Sequence, residues 1–332
     1  MKFHSGEIAV QERAGVRDIA EDVGEGIADH LPPGASEFLE RRQMAVFGSV
    51  DSRGNVWASV VAGEPGFIET VDDRTLRIAA PISSGDPLFR NLADEGHIAL
   101  FAPDFVASRR VRINGRGVIR DGAIFITTDE VYGNCRRYLQ ERIFVGIRQT
   151  PAAEQTASGG TALSESEQRQ ISRADTFFIA TDNPERGADV SHKGGNPGFV
   201  RILDERRIAF PDYNGNSMFN TLGNLTVNPH AALLFIDFDS GRTLQLTGRA
   251  IDRLESDSRA HLFRRGKSDR LRARADHRHR DGLSVDREIP PILAQQPEAV
   301  RCKSIGNLRP RKRREGIVSP PARFDQPSGI SE

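Results

Sequence analysis

Gly63-Glu-Pro-Gly-Phe-Ile68 and Gly195-Asn-Pro-Gly-Phe-Val200 are one phrase written twice, 132 residues apart. Working outward, Arg77-Ile-Ala-Ala-Pro81 matches Arg207-Ile-Ala-Phe-Pro211 at an offset of 130. Asn91-Leu92 with Asn224-Leu225, His97-x-Ala99-Leu100 with His230-x-Ala232-Leu233, and Asp104-Phe105 with Asp237-Phe238 all sit at 133, as do Arg109 with Arg242 and Gly115-Arg116 with Gly248-Arg249. Matches that keep their order at a nearly constant offset indicate a tandem duplication. The change of offset places a three-residue insertion between Pro211 and Asn224 in the second copy.

Each copy reads as β-rich. Met44 to Val50 and Val56 to Ala62 are apolar, β-branched runs around the turn-forming Asp51-Ser-Arg-Gly-Asn55. Thr75 to Ala79, His97 to Phe101 and Val111 to Ile119 continue the pattern; Thr176 to Ala180, Arg207 to Phe210, Ala231 to Ile236 and Thr243 to Thr247 answer it in the second copy. Short strands at this spacing predict a small closed barrel or sandwich per copy. Ser217 to Thr226 and Asp129 to Ile143 read as helices, Gln149 to Ser164 as a linker, and residues 1–35 as one capping segment ending at Pro32-Pro33-Gly34. The resulting division is 1–35, barrel one at 36–128, helix and linker at 129–172, barrel two at 173–254 and a basic, flexible tail at 255–332.

The 332 residues hold 46 Lys/Arg and 46 Asp/Glu, so the net charge of zero excludes a uniformly basic nucleic-acid coat. The balance is uneven: Ile251 to Glu332 carries 19 basic against 12 acidic residues, and the first 250 residues 27 against 34. Arg264 to Arg280 alone holds eight Lys/Arg in 17 residues. It reads as a solvated disordered tail, with binding to an acidic surface such as nucleic acid, or a frame disruption in the coding sequence, as alternatives. No apolar run approaches the ~20 residues of a membrane span. The N-terminus shows no apolar signal region. Cys135 and Cys302 lie too far apart in sequence to form a disulfide framework or a metal clip. A cytoplasmic protein is expected. His277-x-His279 has no accompanying ligand cluster.

The phrases Gly195 to Phe199, Arg207 to Asn216, Asn224-Leu-Thr-Val-Asn-Pro-His-Ala-Ala-Leu-Leu-Phe235 and the strand Arg242 to Gly248, with Val131 to Tyr138 as a further helix, resemble the flavin-nucleotide-binding relatives of pyridoxamine 5′-phosphate oxidase. The resemblance covers roughly residues 36 to 250. It implies two tandem FMN-binding split barrels packed as a pseudo-dimer, mainly β with peripheral helices, the flavin lying in the groove between them. Asn220 and Thr221 fall where those relatives hold the phosphate, although the relatives use Ser with Arg or Lys.

A flavin mononucleotide needs donors or cations for its phosphate and a flat cleft for its ring. Ser191-His192-Lys193 supplies a hydroxyl, an imidazole and an ammonium at a strand end; Asn214, Asn216 and Ser217 precede a helix whose N-terminus favours an anion. Arg242 and its counterpart Arg109 are read as ligands or as ion-pair partners across the interface. At an offset of 132, Ser191, His192 and Lys193 correspond to Ser59, Val60 and Val61, so one competent site is expected, built on copy two, with Arg90 as a compensating cation in copy one and Trp57 facing the groove. His97 and His230 read as structural hydrogen-bonders, and Cys135, beside Arg136 and Arg137, as structural. The implied activity is a flavin-dependent oxidoreductase carrying FMN (or FAD), moving a hydride or electrons between NADH, NADPH or a small organic substrate and an acceptor such as oxygen. No residue stands out as catalytic. The alternatives are a haem-binding split barrel with His192 or His230 as axial ligand, and a non-catalytic flavin carrier or interaction module. A monomeric pseudo-dimer or a homodimer is expected.

Overall fold

The computed structural model describes residues 2–79, 85–133, 137–148, 159–252, 283–286 and 299–304. Strands β1 (Met44–Val50), β2 (Val56–Ala62), β3 (Ile68–Thr70), β4 (Thr75–Ile78), β5 (Gly96–Asp104), β6 (Arg109–Arg120) and β7 (Ala123–Gly133) form one antiparallel sheet in the order β2-β1-β5-β6-β7-β4-β3. After β8 (Arg142–Arg148), strands β9 (Thr176–Asn183), β10 (Gly187–Gly194), β11 (Arg201–Ile202), β12 (Arg207–Phe210), β13 (His230–Ile236), β14 (Thr243–Asp252) and β15 (Leu283–Asp286) form a second sheet in the order β10-β9-β13-β14-β15-β12-β11. Replacing each strand of the first sheet by the strand in the same ordinal place of the second reproduces this order. β16 (Ala299–Ser304), which follows the second sheet, pairs with β8, which follows the first.

All seven strands of the first sheet contribute to one apolar cluster, from Phe47 and Val61 through Ile98, Ile113 and Ile126 to Leu76, Ile78 and Ile68. A sheet whose two ends share one core has curled around it, which is the split barrel. Phe177, Ile179, Phe210, Leu233, Phe235 and Leu244 fill the second barrel in the same way. A third cluster lies between the barrels. Strand alternation turns Val46, Val60 and Phe101 outward from β1, β2 and β5, and Phe178, Val190 and Leu234 outward from the counterpart strands β9, β10 and β13. Both faces of these strands are therefore buried, which explains runs such as Phe177-Phe-Ile-Ala180 that are apolar without interruption. Phe101 meets Phe178 edge-on at 5.5 Å.

The helices are α1 (Ser5–Arg13), α2 (Arg17–Gly24), α3 (Ala35–Glu40), α4 (Pro87–Asn91), α5 (Glu165–Arg173) and α6 (Asn220–Val227). The β1–β2 turn forms because Asp51 Oδ1 accepts from the Arg53 and Asn55 amides at 2.9 Å and Gly54 takes φ +81°. Asn183 repeats that device in the β9–β10 turn.

Four sequence expectations change. Asp129 to Ile143 is not a helix: Asp129 to Gly133 completes β7, and β8 begins at Arg142. Residues 1–35 hold two helices, and the first residue of a third, rather than a single one. The hydrogen bond from Val71 N to Thr75 O repeats as Leu203 N to Arg207 O, which aligns β4 with β12 at 132 and not 130; only one extra residue then precedes Asn224. Finally, Asp252 pairs with Leu283, so residues 253–282 join two neighbouring strands. The segment read as a basic tail supplies β15 to the second barrel and β16 to the ribbon with β8. In the first barrel the corresponding link is a tight turn, Arg120 pairing with Ala123. Arg264 to Arg280, His277, His279 and Cys135 lie outside the described residues.

Candidate functional site

Two grooves related by the internal pseudo-symmetry run where the edge strand of one barrel and its neighbouring helix meet the other barrel. In the second groove, alternation along β10 separates the three residues singled out together. His192 points with Val190 into the interface, where its ring stacks on Phe101 at 6.3 Å and its Nε2 is buried without a hydrogen-bond partner. Burial, helped by Arg110, Arg142 and Lys193, holds the imidazole well below its usual pKa, so it is neutral. Asp189, Ser191 and Lys193 share the opposite face. Lys193 pairs with Asp212, and Ser191 Oγ donates to Asp189 Oδ2 at 3.4 Å.

Arg112 of β6 crosses from the first barrel. Its guanidinium pairs with the Asp189 carboxylate, both residues being no more than 3% exposed, and reaches Asn220 Oδ1 at 3.5 Å. Tyr132 donates to the same Asp189 oxygen at 3.2 Å. Asn220 and Thr221 form the buried first turn of α6, whose N-cap is Phe219 in the left-handed region, with no side-chain cap. Asn220 Nδ2 donates 2.6 Å to Glu7 Oε1, a carboxyl delivered by α1. The other oxygen of Glu7 accepts from the His4 amide at 2.9 Å. Burial pushes Glu7 up to about 7. His4 Nε2 lies 2.9 Å from Asn224 Oδ1, and Asn224 Nδ2 donates to Thr181 at 3.0 Å. His4, Glu7, Asn114, Glu130, Arg186 and Asp189 line a cavity of no more than about 270 Å³, and Asn114 Oδ1 is buried there without a hydrogen-bond partner.

The remaining predicted residues divide. Asn216 Oδ1 accepts from the Met218 amide at 3.1 Å, a turn leading into α6, and Ser217 takes φ +66° in it. Asn214 is exposed, and its carbonyl accepts from Tyr138 at 3.2 Å, whose ring stacks on Tyr213. Arg242 stands apart, exposed at the start of β14; Arg109 lies over the Phe38 ring of its own barrel. His230 Nδ1 meets Gly54 O of the first barrel at 2.9 Å, and His97 Nδ1 lies 3.7 Å from Asp182 of the second, so this matched pair ties the barrels together.

The first groove holds different chemistry at the same places. Asp86, counterpart of Phe219, is the N-cap of α4 and accepts from the Leu88 amide at 2.9 Å, Ser59 at 2.5 Å and Gln245 at 3.1 Å. Gln245 is the counterpart of Arg112, crossing in the opposite direction. Trp57 takes the place of Asp189 and donates to Asp51 at 3.0 Å. Burial raises the Asp86 pKa. Sequence reasoning missed Glu7, Asp86, Arg112, Asp189 and Gln245. The available signal was weak: Arg112 lies between the apolar Val111 and Ile113, but in a strand with four other arginines.

Among the described residues no cluster of three or more His, Cys, Asp or Glu could hold a metal ion, and no helix is long and apolar enough to cross a membrane. Residues 163–294 match the family model of pyridoxamine 5′-phosphate oxidase, a span that takes in α5 and every strand of the second sheet. No curated protein matches the chain. Similar solved structures include HupZ of Group A Streptococcus, 14% identical, covering 30% of this chain and 89% of its own at a TM-score of 0.24. A HupZ variant is 15% identical over 31% and 98%, at 0.25. A candidate pyridoxamine 5′-phosphate oxidase of Lactobacillus delbrueckii is 14% identical over 32% and 95%, at 0.26.

Proposed function

We propose, from the match of residues 163–294 to the pyridoxamine 5′-phosphate oxidase family model, that the chain is an FMN-dependent oxidoreductase with one flavin site, in the second groove. The observation that carries this reading is the buried first turn of α6, Asn220 and Thr221 with no side-chain cap, where Arg112 arrives from the other barrel and is linked through Asp189 to Ser191. These donors suit a phosphate monoester. The carboxyl of Glu7, held by Asn220, occupies that place, and burial favours its protonated form. The fit is therefore to the groove of the two barrels without Glu7 and with Asp189 and Glu130 kept neutralised by Arg112 and Arg186, since a phosphate and an unpaired carboxylate would repel each other at one place.

Arg112, Asn220, Thr221 and Ser191 would hold the phosphate, and Lys193, now paired with Asp212, would add a cation from the same face of β10. When bound, the flavin supplies hydride or electron exchange at its N5 atom, with NADH, NADPH or a small organic molecule as donor and oxygen or another compound as acceptor. The chain's own part is to position the ring and exclude water; no side chain is assigned as acid or base. Cysteine usage supports a cytoplasmic setting.

The test is the absorption spectrum of freshly purified protein, with identification of any chromophore released by heat. Two flavin bands and about one FMN per chain support the reading; colourless protein that takes up no added FMN overturns it. Replacing Lys193 by Ala should cost roughly 1.5–3 kcal/mol of FMN affinity, a charge-assisted hydrogen bond, and unchanged affinity removes Lys193 from the site. A second reading, a non-catalytic interaction module, is favoured by the first groove, where Asp86, Ser59 and Gln245 leave no donor for a ligand; flavin that is bound but not reduced by NADH or NADPH would select it. The haem alternative rests on His192 and His230, and a haem-type band would select it. His192 is stacked against Phe101 inside the interface, which an axial role would have to disrupt.

A further inference from the structure

We propose that the cavity between α1, β6, β7 and the start of α6 is a binding site for a primary ammonium group, held by Asn114 Oδ1 and the Glu7 carboxylate. The site is additional to the flavin reading and stands without it.

The wall of this cavity has an acceptor to spare and a charge to balance. Asn114 is 6% exposed, and its Oδ1 is buried in the wall without a hydrogen-bond partner, while its Nδ2 is spent on Glu130 at 3.2 Å. An amide oxygen so placed receives an N–H or O–H donor. The three carboxyls differ in their partners. Glu130 pairs with Arg186 at 2.6 Å, and Asp189 pairs with Arg112. The basic group beside Glu7 is His4, 3.6 Å away, and it brings no charge. His4 Nδ1 accepts from the Gly6 amide at 3.1 Å, so the ring hydrogen sits on Nε2, which donates to Asn224, and the ring is neutral. Glu130 repels the Glu7 anion more than the already paired Arg186 attracts it, and burial adds to this, pushing Glu7 up to about 7. With Glu7 ionised, three carboxylates meet two guanidinium groups, so one more positive charge makes the site neutral. A water molecule could satisfy Asn114 but would leave Glu7 without a cation; an ammonium supplies both the donor and the charge. The described residues form no cluster able to hold a metal ion, which favours an organic cation. Arg186 is the most exposed of these residues, at 40%, so the amine enters beside it, into a volume of at most about 270 Å³. The first groove offers no such vacancy, because Asp86 already meets the Leu88 amide, Ser59 and Gln245. An ammonium here keeps Glu7 seated, so it and an FMN phosphate at the start of α6 exclude each other.

The experiment follows the thermal unfolding midpoint of the full chain, freed of any bound flavin, against methylammonium chloride. Tetramethylammonium chloride, a cation without N–H donors, and potassium chloride serve as references at equal ionic strength. Methylammonium alone should raise the midpoint along a saturation curve that gives its affinity. The amine stays protonated between pH 6 and 8 while Glu7 must give up its proton, so the affinity should be about tenfold weaker at pH 6 than at pH 8. Glu7→Gln removes the charge, and Asn114→Thr installs the residue type that the second barrel holds at this place, Thr247. Each should weaken binding by at least about fivefold, a modest charge-assisted hydrogen bond, and Glu7→Gln should erase the pH dependence. Equal rises in the three salts, or unchanged affinity in either variant, overturn the site; if Asn114→Thr does not fold, Glu7→Gln decides alone. n-Butylammonium bound as well as methylammonium supports the site and identifies the end of a longer amine, and its exclusion supports the site for a small free amine. Methylammonium binding by a chain that takes up no FMN keeps this site and overturns the flavin reading. FMN uptake without any effect of methylammonium does the reverse.

Discussion

The two grooves are built on one topology and differ in how each neutralises the same buried corner. In the first, the chain closes the corner from within: Asp86 caps α4, and Ser59 and Gln245 satisfy what remains of its carboxylate. In the second, Phe219 stands at the cap position, an Arg112–Asp189 ion pair replaces Gln245 and Trp57, and the carboxyl beside the helix start is borrowed from a separate helix. The two barrels share their strand order, while one corner is closed by its own helix cap and the other by a carboxyl from a separate helix.

The largest effect expected from breaking this asymmetry is at Arg112. Its removal, as Arg112→Ala, leaves Asp189 buried with only the Tyr132 and Ser191 hydroxyls, and should cost about 3–5 kcal/mol in urea unfolding. Converting the pair toward first-groove chemistry, Arg112→Gln with Asp189→Asn, should recover most of that loss, because no lone charge remains. Gln245→Ala in the other groove should cost about 1–3 kcal/mol, a buried polar group left unpaired. Equal losses at Arg112 and Gln245 would show that the ion pair is no more than a polar contact.

Next in size is a pH dependence confined to the second groove. Glu7 has its pKa raised from 4.5 to about 7 by burial, so the folded chain binds this proton more tightly than the unfolded one. Its contribution is complete below about pH 4.5 and is lost as pH rises through about 7, by up to roughly 3 kcal/mol. Facing it are Asn220 of α6, Glu130 of β7, Arg186 before β10, Arg112 with its partner Asp189, and His4. Burial lowers His4, which gives the opposite slope as it loses its proton. Subtracting the profile of Glu7→Gln isolates Glu7: its curve should be flatter between pH 5 and 8 than that of the parent. Parallel curves would mean that Glu7 is not titrating in the fold.

How much of this was legible beforehand follows from what kind of contact each feature needs. The repeat and strands such as Met44 to Val50 and Arg207 to Phe210 were readable because local periodicity and turn residues specify them. Asp129 to Ile143 misled because Glu130, Arg137 and Glu141 give it a polar, helix-like composition. The β7 part of it is held by pairing with β6, where Gly115 admits the Thr127 carbonyl so closely that a Cβ would lie 2.0 Å away. That pairing is not visible within a window of sequence. The site was half legible for the same reason. Asn220 and Thr221 could be found as a helix start, but Arg112 lies 77 residues from Asp189 and Glu7 lies 213 from Asn220, so only the fold brings them together. β15 was missed because about thirty residues of arginine-rich text separate it from its neighbour.

The smallest expected effect tests whether the first groove is closed by charge or by capping geometry. Asp86 is buried, and burial raises its pKa, so charge is what the site tolerates least. Its three contacts are all donors, and the amide oxygen of asparagine can serve the Leu88 amide as well as a carboxylate oxygen does. The Ser59 hydroxyl donates to that same oxygen and keeps its bond, which leaves only Gln245, on the other oxygen, facing a changed partner. Asp86→Asn should therefore shift stability by less than about 1 kcal/mol, and Asp86→Ala, which removes the cap, by about 1–2 kcal/mol. A loss for Asp86→Asn as large as that for Asp86→Ala would show that the carboxylate charge is needed. The first groove would then be closed by a carboxylate anion, and the asymmetry between the two would lie in the charge and the origin of the carboxyl, a helix cap in the first and a separate helix in the second.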